Sequence, residues 1–126
     1  MDYATKQNLE LTSSLRSGAK QMSLWSFMDH CMSAMGSRLL KKWIEYPLIQ
    51  VSEIQKRQEA VAYLNDNFLI RDELKEHLRY VYDLERLGAR VAYGSASPRD
   101  VLRLIRTLEH APVIFDLFKE CPSDLA

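Results

Sequence analysis

The spacing of apolar residues predicts a chain built mostly of α-helices. From Leu24 onwards, apolar positions recur every three or four residues, which places them on one face of a helix. Residues 5–12 differ, because Leu9 and Leu11 alternate with polar neighbours as in a half-buried extended segment. The sequence offers this segment no obvious pairing partner. We therefore predict an all-α, multi-helical fold with a short extended segment near the N-terminus.

Several residue patterns indicate where the helices begin and end. Gly36 would be unfavourable in the middle of a helix, so we expect a break near residues 31–33, with Ser33 as the N-cap of a new helix. That helix should run to Glu45, because Tyr46 precedes Pro47 and is therefore disfavoured in helical conformation.

Three further helix starts are predicted in the second half of the chain. Ser52 and Gln55 match a capping box, and Asp83 can cap a later helix that ends near Gly94. Ser97 followed by Pro98 is a strong start signal for another helix, which Pro112 should divide from a last turn or two. The predicted core stripe of this helix is Val101, Leu104, Ile105 and Leu108.

Composition and charge exclude some classes of protein without naming a function. The chain has 126 residues, which predicts one helical domain over residues 1–126. Lys plus Arg and Asp plus Glu are both 17, which argues against a globally basic nucleic-acid binder. Cys31 and Cys121 lie far apart and no apolar run is long enough to cross a bilayer, so we expect a cytoplasmic protein without membrane contact.

No motif for catalysis or for cofactor binding is found in the sequence. Residues 18–21 lack the second glycine and the hydroxyl residue of a phosphate-binding loop, and there is no nucleophile elbow. Glu73 and His77 share a helical face, but two ligands fall short of a structural zinc site. We therefore predict no catalytic, cofactor-binding or metal-binding residues in this chain.

The most suggestive charge pattern is a series of arginines between positions 86 and 106. Arg99, Arg103 and Arg106 share one helical face by their spacing and could contact phosphates or DNA. The alternative is neutralisation across helices by acidic residues, for which Asp83, Glu85 and Glu109 are available. The sequence leaves both interpretations open. The whole series is Arg86, Arg90, Arg99, Arg103 and Arg106.

An ordered set of short motifs resembles one protein family over almost the whole chain. The set includes residues 8–11, Ser23-Leu24, residues 35–40, Trp43, Pro47-Leu48, Ile54, Arg57, Val61, residues 83–87, Arg90 and residues 98–102. In this order and spacing they resemble domain III, the core or lever domain, of the bacterial MutS family of DNA mismatch-recognition ATPases. One departure is Cys31-Met32-Ser33, where the family usually has a threonine before the Met-Gly pair.

The resemblance implies a fragment of a larger protein. It would be the part of the core that precedes the clamp insertion, and it would link the ATPase to the DNA-binding clamp. The implied parent binds ATP and magnesium in another domain, binds double-stranded DNA and forms a homodimer. The implied partners of the fragment are the remaining domains of the parent chain. Neither a Phe-x-Glu tripeptide nor a Walker motif occurs here, so none of the family's mismatch or nucleotide residues has a matching position.

In this interpretation a group of residues has a structural role in packing the lever. The candidates are Arg38, Asp83, Glu85, Arg86, Leu87 and Arg90. Two other functions remain open. One is a helical DNA-binding module that uses the arginine face of residues 86–106, and the other is a helical protein-interaction adaptor.

Overall fold

The computed structural model describes residues 3–16 and 18–121, and the ordered secondary structure in these ranges is helical. The all-α prediction is therefore confirmed for them. The helices are α1 (Tyr3–Asn8), α2 (Leu24–Met28), α3 (Ala34–Glu45), α4 (Val51–Asp66), α5 (Phe68–Leu78), α6 (Leu84–Ala92) and α7 (Pro98–Leu117). The chain divides into two compact units, Met1–Ile49 and Gln50–Ala126. Whether they act as the one domain expected from length stays a prediction.

The predicted extended segment near the N-terminus is wrong. Its first residues lie in α1, and the chain leaves this helix through Glu10, whose φ is +47°. The N–H of Leu11 then donates to the carbonyl of Lys6 at 3.2 Å. Such a left-handed helix end turns Leu11 inward, where it is buried, while Leu9 remains 58% exposed. The alternation of the two leucines therefore reflects a helix terminus and not a strand.

In the first unit, two serine caps divide the apolar segment, of which the sequence predicts the second, Ser33. The Ser23 hydroxyl accepts from the N–H of Ser26 at 3.1 Å, and the Ser33 hydroxyl accepts from the N–H of Gly36 at 3.1 Å. The break between α2 and α3 is held by Asp29, which accepts hydrogen bonds from the Lys20 ammonium and the Ser37 hydroxyl. These two bonds hold the pKa of Asp29 well below its usual range. The predicted break near residues 31–33 is confirmed.

The predicted capping box of α4 is not formed. The helix begins at Val51, one residue earlier than Ser52, and its N-cap Gln50 makes no side-chain capping hydrogen bond. Ser52 therefore lies inside the first turn instead of preceding it. A helix N-terminus can begin at a residue without a capping side chain when its N–H groups remain accessible to water.

In the second unit, the helix starts at Asp83 and Ser97 are confirmed, but the division at Pro112 is wrong. The Asp83 carboxylate accepts from the N–H of Arg86 at 3.2 Å. Ser97 forms a reciprocal capping box with Asp100, and α7 continues through Pro112 to Leu117. Proline has no N–H, so one helical hydrogen bond is lost at this position.

Contacts on both sides of Pro112 hold α7 in one piece. Before it, His110 Nδ1 lies 2.8 Å from His77 Nδ1 of α5, and the His110 ring stacks on Tyr80 at 4.5 Å. After it, the Tyr63 hydroxyl of α4 donates to the carbonyl of Leu117 at 3.4 Å. These tertiary contacts offset the local cost of the proline.

The buried face of α7 differs from the predicted core stripe. The two most buried residues of this helix are Asp100 and Thr107, which are 5% and 2% exposed. Of the predicted stripe, Leu104 is half-buried, while the other three residues are exposed. The helix is therefore rotated by about one residue, or 100°, from the orientation that hydrophobicity alone predicts. We call the uncovered residues the apolar stripe: Val101, Ile105, Leu108 and Phe115.

Thr107 connects α7 to the segment between α5 and α6. Its hydroxyl accepts a hydrogen bond from the N–H of Tyr82 at 3.0 Å. The same hydroxyl lies 3.0 Å from the Arg103 carbonyl and 3.3 Å from the Tyr80 carbonyl, and it can donate its one hydrogen to either of them. A buried hydroxyl with partners in two segments fixes their relative position.

Over the part of the chain that the structure describes, no helix combines the length and apolar character needed to cross a membrane.

Candidate functional site

The arginines predicted to share a face lie around one open pocket of the second unit. Arg99, Arg103 and Arg106 project from consecutive turns of α7, with Leu102 between them, and line a pocket of about 300 Å³. Their spacing of four and three residues is the repeat of a single helical face. The sequence therefore correctly predicts that these three side chains lie together.

The opposite wall of the pocket comes from Tyr82, in the segment between α5 and α6. The Arg103 guanidinium lies 5.5 Å from the centre of the Tyr82 ring, within the range of a cation–π contact. Tyr82 is held there by its backbone, since its N–H donates to the buried hydroxyl of Thr107 at 3.0 Å. Thr107 thus positions one wall of the pocket against the other.

Two of the three guanidiniums are not neutralised by acidic side chains. Within residues 3–16 and 18–121, neither Arg99 nor Arg106 forms an ion pair. The interpretation that acidic residues of neighbouring helices neutralise this face therefore fails for these two residues. Arg103 has one partner, Asp100, at 3.8 Å on its own helix.

Asp100 lies behind the arginines and is already engaged. Its carboxylate accepts from the backbone N–H of Ser97 at 3.1 Å and from the Ser97 hydroxyl at 2.9 Å. Arg90 of α6 contacts both oxygens, at 3.1 and 3.2 Å. The Ser97 bonds first, and then Arg90, hold the pKa of Asp100 below its usual value. The carboxylate is therefore charged at neutral pH and is hydrogen-bonded by Ser97 and Arg90, whereas Arg103 lies farther away, at 3.8 Å.

The residues predicted to pack the lever occupy different environments. Leu87 is buried on α6, the helix that packs against α7, and Arg90 joins the same two helices through Asp100. Arg86 is 74% exposed, and its ion pair with Asp83, at 3.4 Å, stays within one helix end. Glu85 is exposed in the first turn of α6. Arg38 lies half-buried in α3 of the first unit.

Sequence reasoning missed two residues of this region. Tyr82 belongs to no periodic pattern, and its place in the pocket depends on how the chain turns between two helices. Thr107 is polar, so a search for apolar positions passes over it, although it is the most buried residue of α7. No signal in the sequence could have identified Tyr82. Thr107 could have been found from its spacing of seven residues from the cap partner Asp100.

Metal chemistry finds no support in the described residues. Within residues 3–16 and 18–121, no group of three or more histidines, cysteines or acidic residues is placed to hold an ion. The pair predicted to share a face, Glu73 and His77, has its carboxylate oxygen 4.0 Å from Nε2. Cys31 is exposed as a residue. The protein nevertheless removes some water from its thiol, and this desolvation, together with the neighbouring Asp29, raises the pKa of the thiol and makes it less reactive.

Comparison with known proteins gives one consistent result. The family described as MutS domain III matches residues 4–126. A DNA mismatch repair protein MutS from Bacillus pumilus is 46% identical over 126 residues, covering 100% of this chain and 15% of that protein. The corresponding protein of Exiguobacterium sp. is 47% identical over 124 residues, covering 98% of this chain and 15% of that protein.

A third relative, the DNA mismatch repair protein MutS of Bacillus subtilis, is 45% identical over 126 residues and also has 15% of its length covered. The chain thus spans about 15% of the length of these curated relatives. The family match extends over both compact units and agrees with the all-helical fold. On this evidence the chain belongs to the MutS domain III family.

Proposed function

We propose that this chain is a stiff helical segment of a DNA mismatch repair protein, and that it transmits movement between an ATPase and a DNA-binding clamp elsewhere in the same protein. One observation carries the proposal. Helix α7 is tied to α6 through Arg90 and Asp100, and to the segment before α6 through Thr107 and Tyr82. Part-buried polar ties of this kind favour one arrangement of the helices, so that they move together.

The apolar stripe of α7 supports a role inside a larger assembly. Val101, Ile105, Leu108 and Phe115 follow the four-three spacing of a helix-packing face, yet all are exposed. A contiguous apolar face is a place where another element packs. In the proposed parent, the covering element comes from the part of the protein that this chain does not span.

The remaining properties of the parent are proposals of the same kind. It would bind ATP and magnesium in its ATPase domain, bind double-stranded DNA, act as a homodimer and be cytoplasmic. Residues 18–21, the glycine-containing segment, do not fit a nucleotide-phosphate loop. Lys20, in the glycine-containing segment, bonds to Asp29 and lies 3.9 Å from the centre of the Trp25 ring. The Lys20 ammonium therefore already has partners within the first unit.

The adaptor alternative makes a different prediction from the lever. An adaptor would recruit a separate protein through the apolar stripe, whereas a lever would have that stripe covered within its own parent. Sedimentation of the intact parent and of this chain separates the two, because only an adaptor keeps the stripe available in the intact protein.

The lever proposal is tested by comparing two arginines of α6 in the intact parent protein. Arg90→Ala removes a tie between helices, whereas Arg86→Ala removes a contact confined to one helix end. We expect Arg90→Ala to slow ATP-dependent release from DNA by about 2- to 30-fold, the range for mutations within a coupling network. Mismatch binding without nucleotide should change little. Release is measured by stopped-flow fluorescence with labelled duplex DNA.

Arg86→Ala is the matched control. The sequence places Arg86 among the residues that pack the lever, but its ion pair stays within one helix end, so release should remain close to that of the unmodified protein. The lever proposal is wrong if both variants release DNA at the unmodified rate while both remain folded. It is also wrong if Arg90→Ala reduces ATP hydrolysis in the absence of DNA by the same factor, since the defect would then lie in the ATPase and not in the coupling.

A further inference from the structure

We propose that the arginine pocket of α7 is a binding site for the phosphate backbone of duplex DNA. The site consists of Arg99, Arg103, Arg106 and Tyr82. The choice of DNA as the ligand rests on the proposed function, in which this chain is a segment of a DNA repair protein. The site itself does not depend on the lever, since binding an anion requires no coupling to an ATPase.

The charge balance of the pocket favours an external anion. Arg99 and Arg106 have no ion pair within residues 3–16 and 18–121, and Asp100 is satisfied by Ser97 and Arg90. An anion entering the pocket therefore has no strong internal ion pair to displace at these two arginines. Because the chain as a whole has a formal net charge of +0, this local excess of positive charge is a property of one face.

The length of the arginine series fits a run of phosphates better than a single small anion. Arg99 and Arg106 are seven residues apart, which places their α-carbons about 10.5 Å apart along the helix axis. One strand of duplex DNA carries a phosphate about every 3.4 Å along the duplex axis, so about three phosphates fall within this distance where α7 lies parallel to that axis. A single carboxylate could engage only one guanidinium in the bidentate manner.

The donor chemistry also fits phosphate. Each guanidinium offers five N–H donors in a planar fork, which matches two oxygens of a phosphate. The Tyr82 hydroxyl forms no hydrogen bond within the described part of the chain, so it is available as a further donor on the opposite wall. Because the proposed contacts of these arginines are to phosphates and not to base edges, the site should bind DNA without preference for sequence.

The test uses the intact parent protein and measures how binding to a fully matched duplex depends on salt. The variant Arg99→Gln with Arg106→Gln changes two exposed side chains that form no ion pair in the described structure, so the fold should be kept. Each lost phosphate contact reduces the slope of log K against log salt by about 0.9. We expect a reduction of about 1.8 for the double variant, measured by fluorescence anisotropy without nucleotide and with ATP.

The control is Lys75→Gln with Arg79→Gln, which removes the same charge from exposed positions of α5 and its C-cap. It should leave the slope unchanged, because only charges that contact phosphate release counterions. Should the double variant be unfolded by circular dichroism, Arg106→Gln alone is measured, with an expected change of about 0.9.

Two outcomes overturn the proposal. One is a slope equal to that of the control variant both without nucleotide and with ATP. The other is unchanged DNA binding together with weaker association of the parent's subunits, which would assign the pocket to carboxylates of a protein surface. Neither outcome bears on the lever, which is tested by the rate of ATP-dependent release and not by the salt dependence of equilibrium binding.

Discussion

Replacing Leu87 by alanine should lower the free energy of unfolding of the 126-residue chain by about 2–3 kcal/mol, near the lower end of the range for buried leucines. Leu87 is 5% exposed, on the face of α6 that packs against α7. Among the described residues of the second unit, only Leu74 and Leu87 are both apolar and buried, so each is a large part of a small core. Because the surroundings of Leu87 are partly open, neighbouring side chains can relax into the cavity that the substitution leaves, which keeps the destabilisation below the upper end of that range.

Urea denaturation followed by circular dichroism measures this loss, and hydrogen exchange of the α6 and α7 amides assigns it to the second unit. Leu102→Ala is the matched control, because Leu102 is exposed on the neighbouring helix. It should change the free energy of unfolding by less than about 0.5 kcal/mol. Equal effects of the two substitutions would contradict the packing described for α6 and α7.

Replacing Thr107 by valine should lower the free energy of unfolding by about 1–3 kcal/mol, although the shape of the side chain is almost unchanged. The substitution removes the hydroxyl that accepts from the Tyr82 N–H, and leaves that donor unsatisfied beside an apolar group. The hydrogen bond that the hydroxyl donates, to the carbonyl of Arg103 or of Tyr80, is lost at the same time. The same urea titration measures the loss.

Thr107→Ser separates the hydroxyl from the methyl group. It keeps the hydrogen bonds and removes one methyl, so it should be closer to the unmodified chain than Thr107→Val is. The opposite order would mean that Thr107 acts through its methyl group, and its role as a polar tie would be wrong. Exchange of the Tyr82 amide provides a direct check, since it should accelerate in Thr107→Val more than in Thr107→Ser.

The helix boundaries could be predicted where the chemistry is local. Ser33, Asp83 and Ser97 each accept a hydrogen bond from an N–H three residues ahead, so the signal and its consequence lie within one turn. Ser52 carries the same signal and fails, because α4 begins one residue before it. Pro112 fails for a different reason, since contacts of α7 with α4 and α5 hold the helix together and cannot be seen in local sequence.

The orientation of α7 could not be predicted from hydrophobicity. A pattern of apolar residues on a helix does not distinguish a face that packs within the chain from one that stays exposed in it. In this chain the buried residues of α7 are Asp100 and Thr107, whose polar groups are matched by partners on neighbouring segments. Matching of that kind depends on tertiary structure, so periodicity alone assigned the inner face to the wrong residues.

The candidate site shows the same division between local and long-range information. The grouping of Arg99, Arg103 and Arg106 follows from helical spacing alone. The lack of ion pairs at Arg99 and Arg106 does not follow from spacing, because it depends on where the acidic side chains point. Tyr82 enters the pocket from a segment outside the helices, held by a hydrogen bond to a residue 25 positions away.

The uncovered apolar stripe of α7 distinguishes mutations that impair the folding of this chain from mutations that impair its attachment to the rest of the parent. Substitutions at Ile105 or Leu108 remove few contacts within this chain, because both side chains are exposed in it. If a neighbouring part of the parent covers them, the same substitutions weaken the attachment of that part. Under the function proposed above, a screen that scores only the folding of this chain would class such alleles as neutral, whereas a screen for mutation rate in living cells would recover them as mutators.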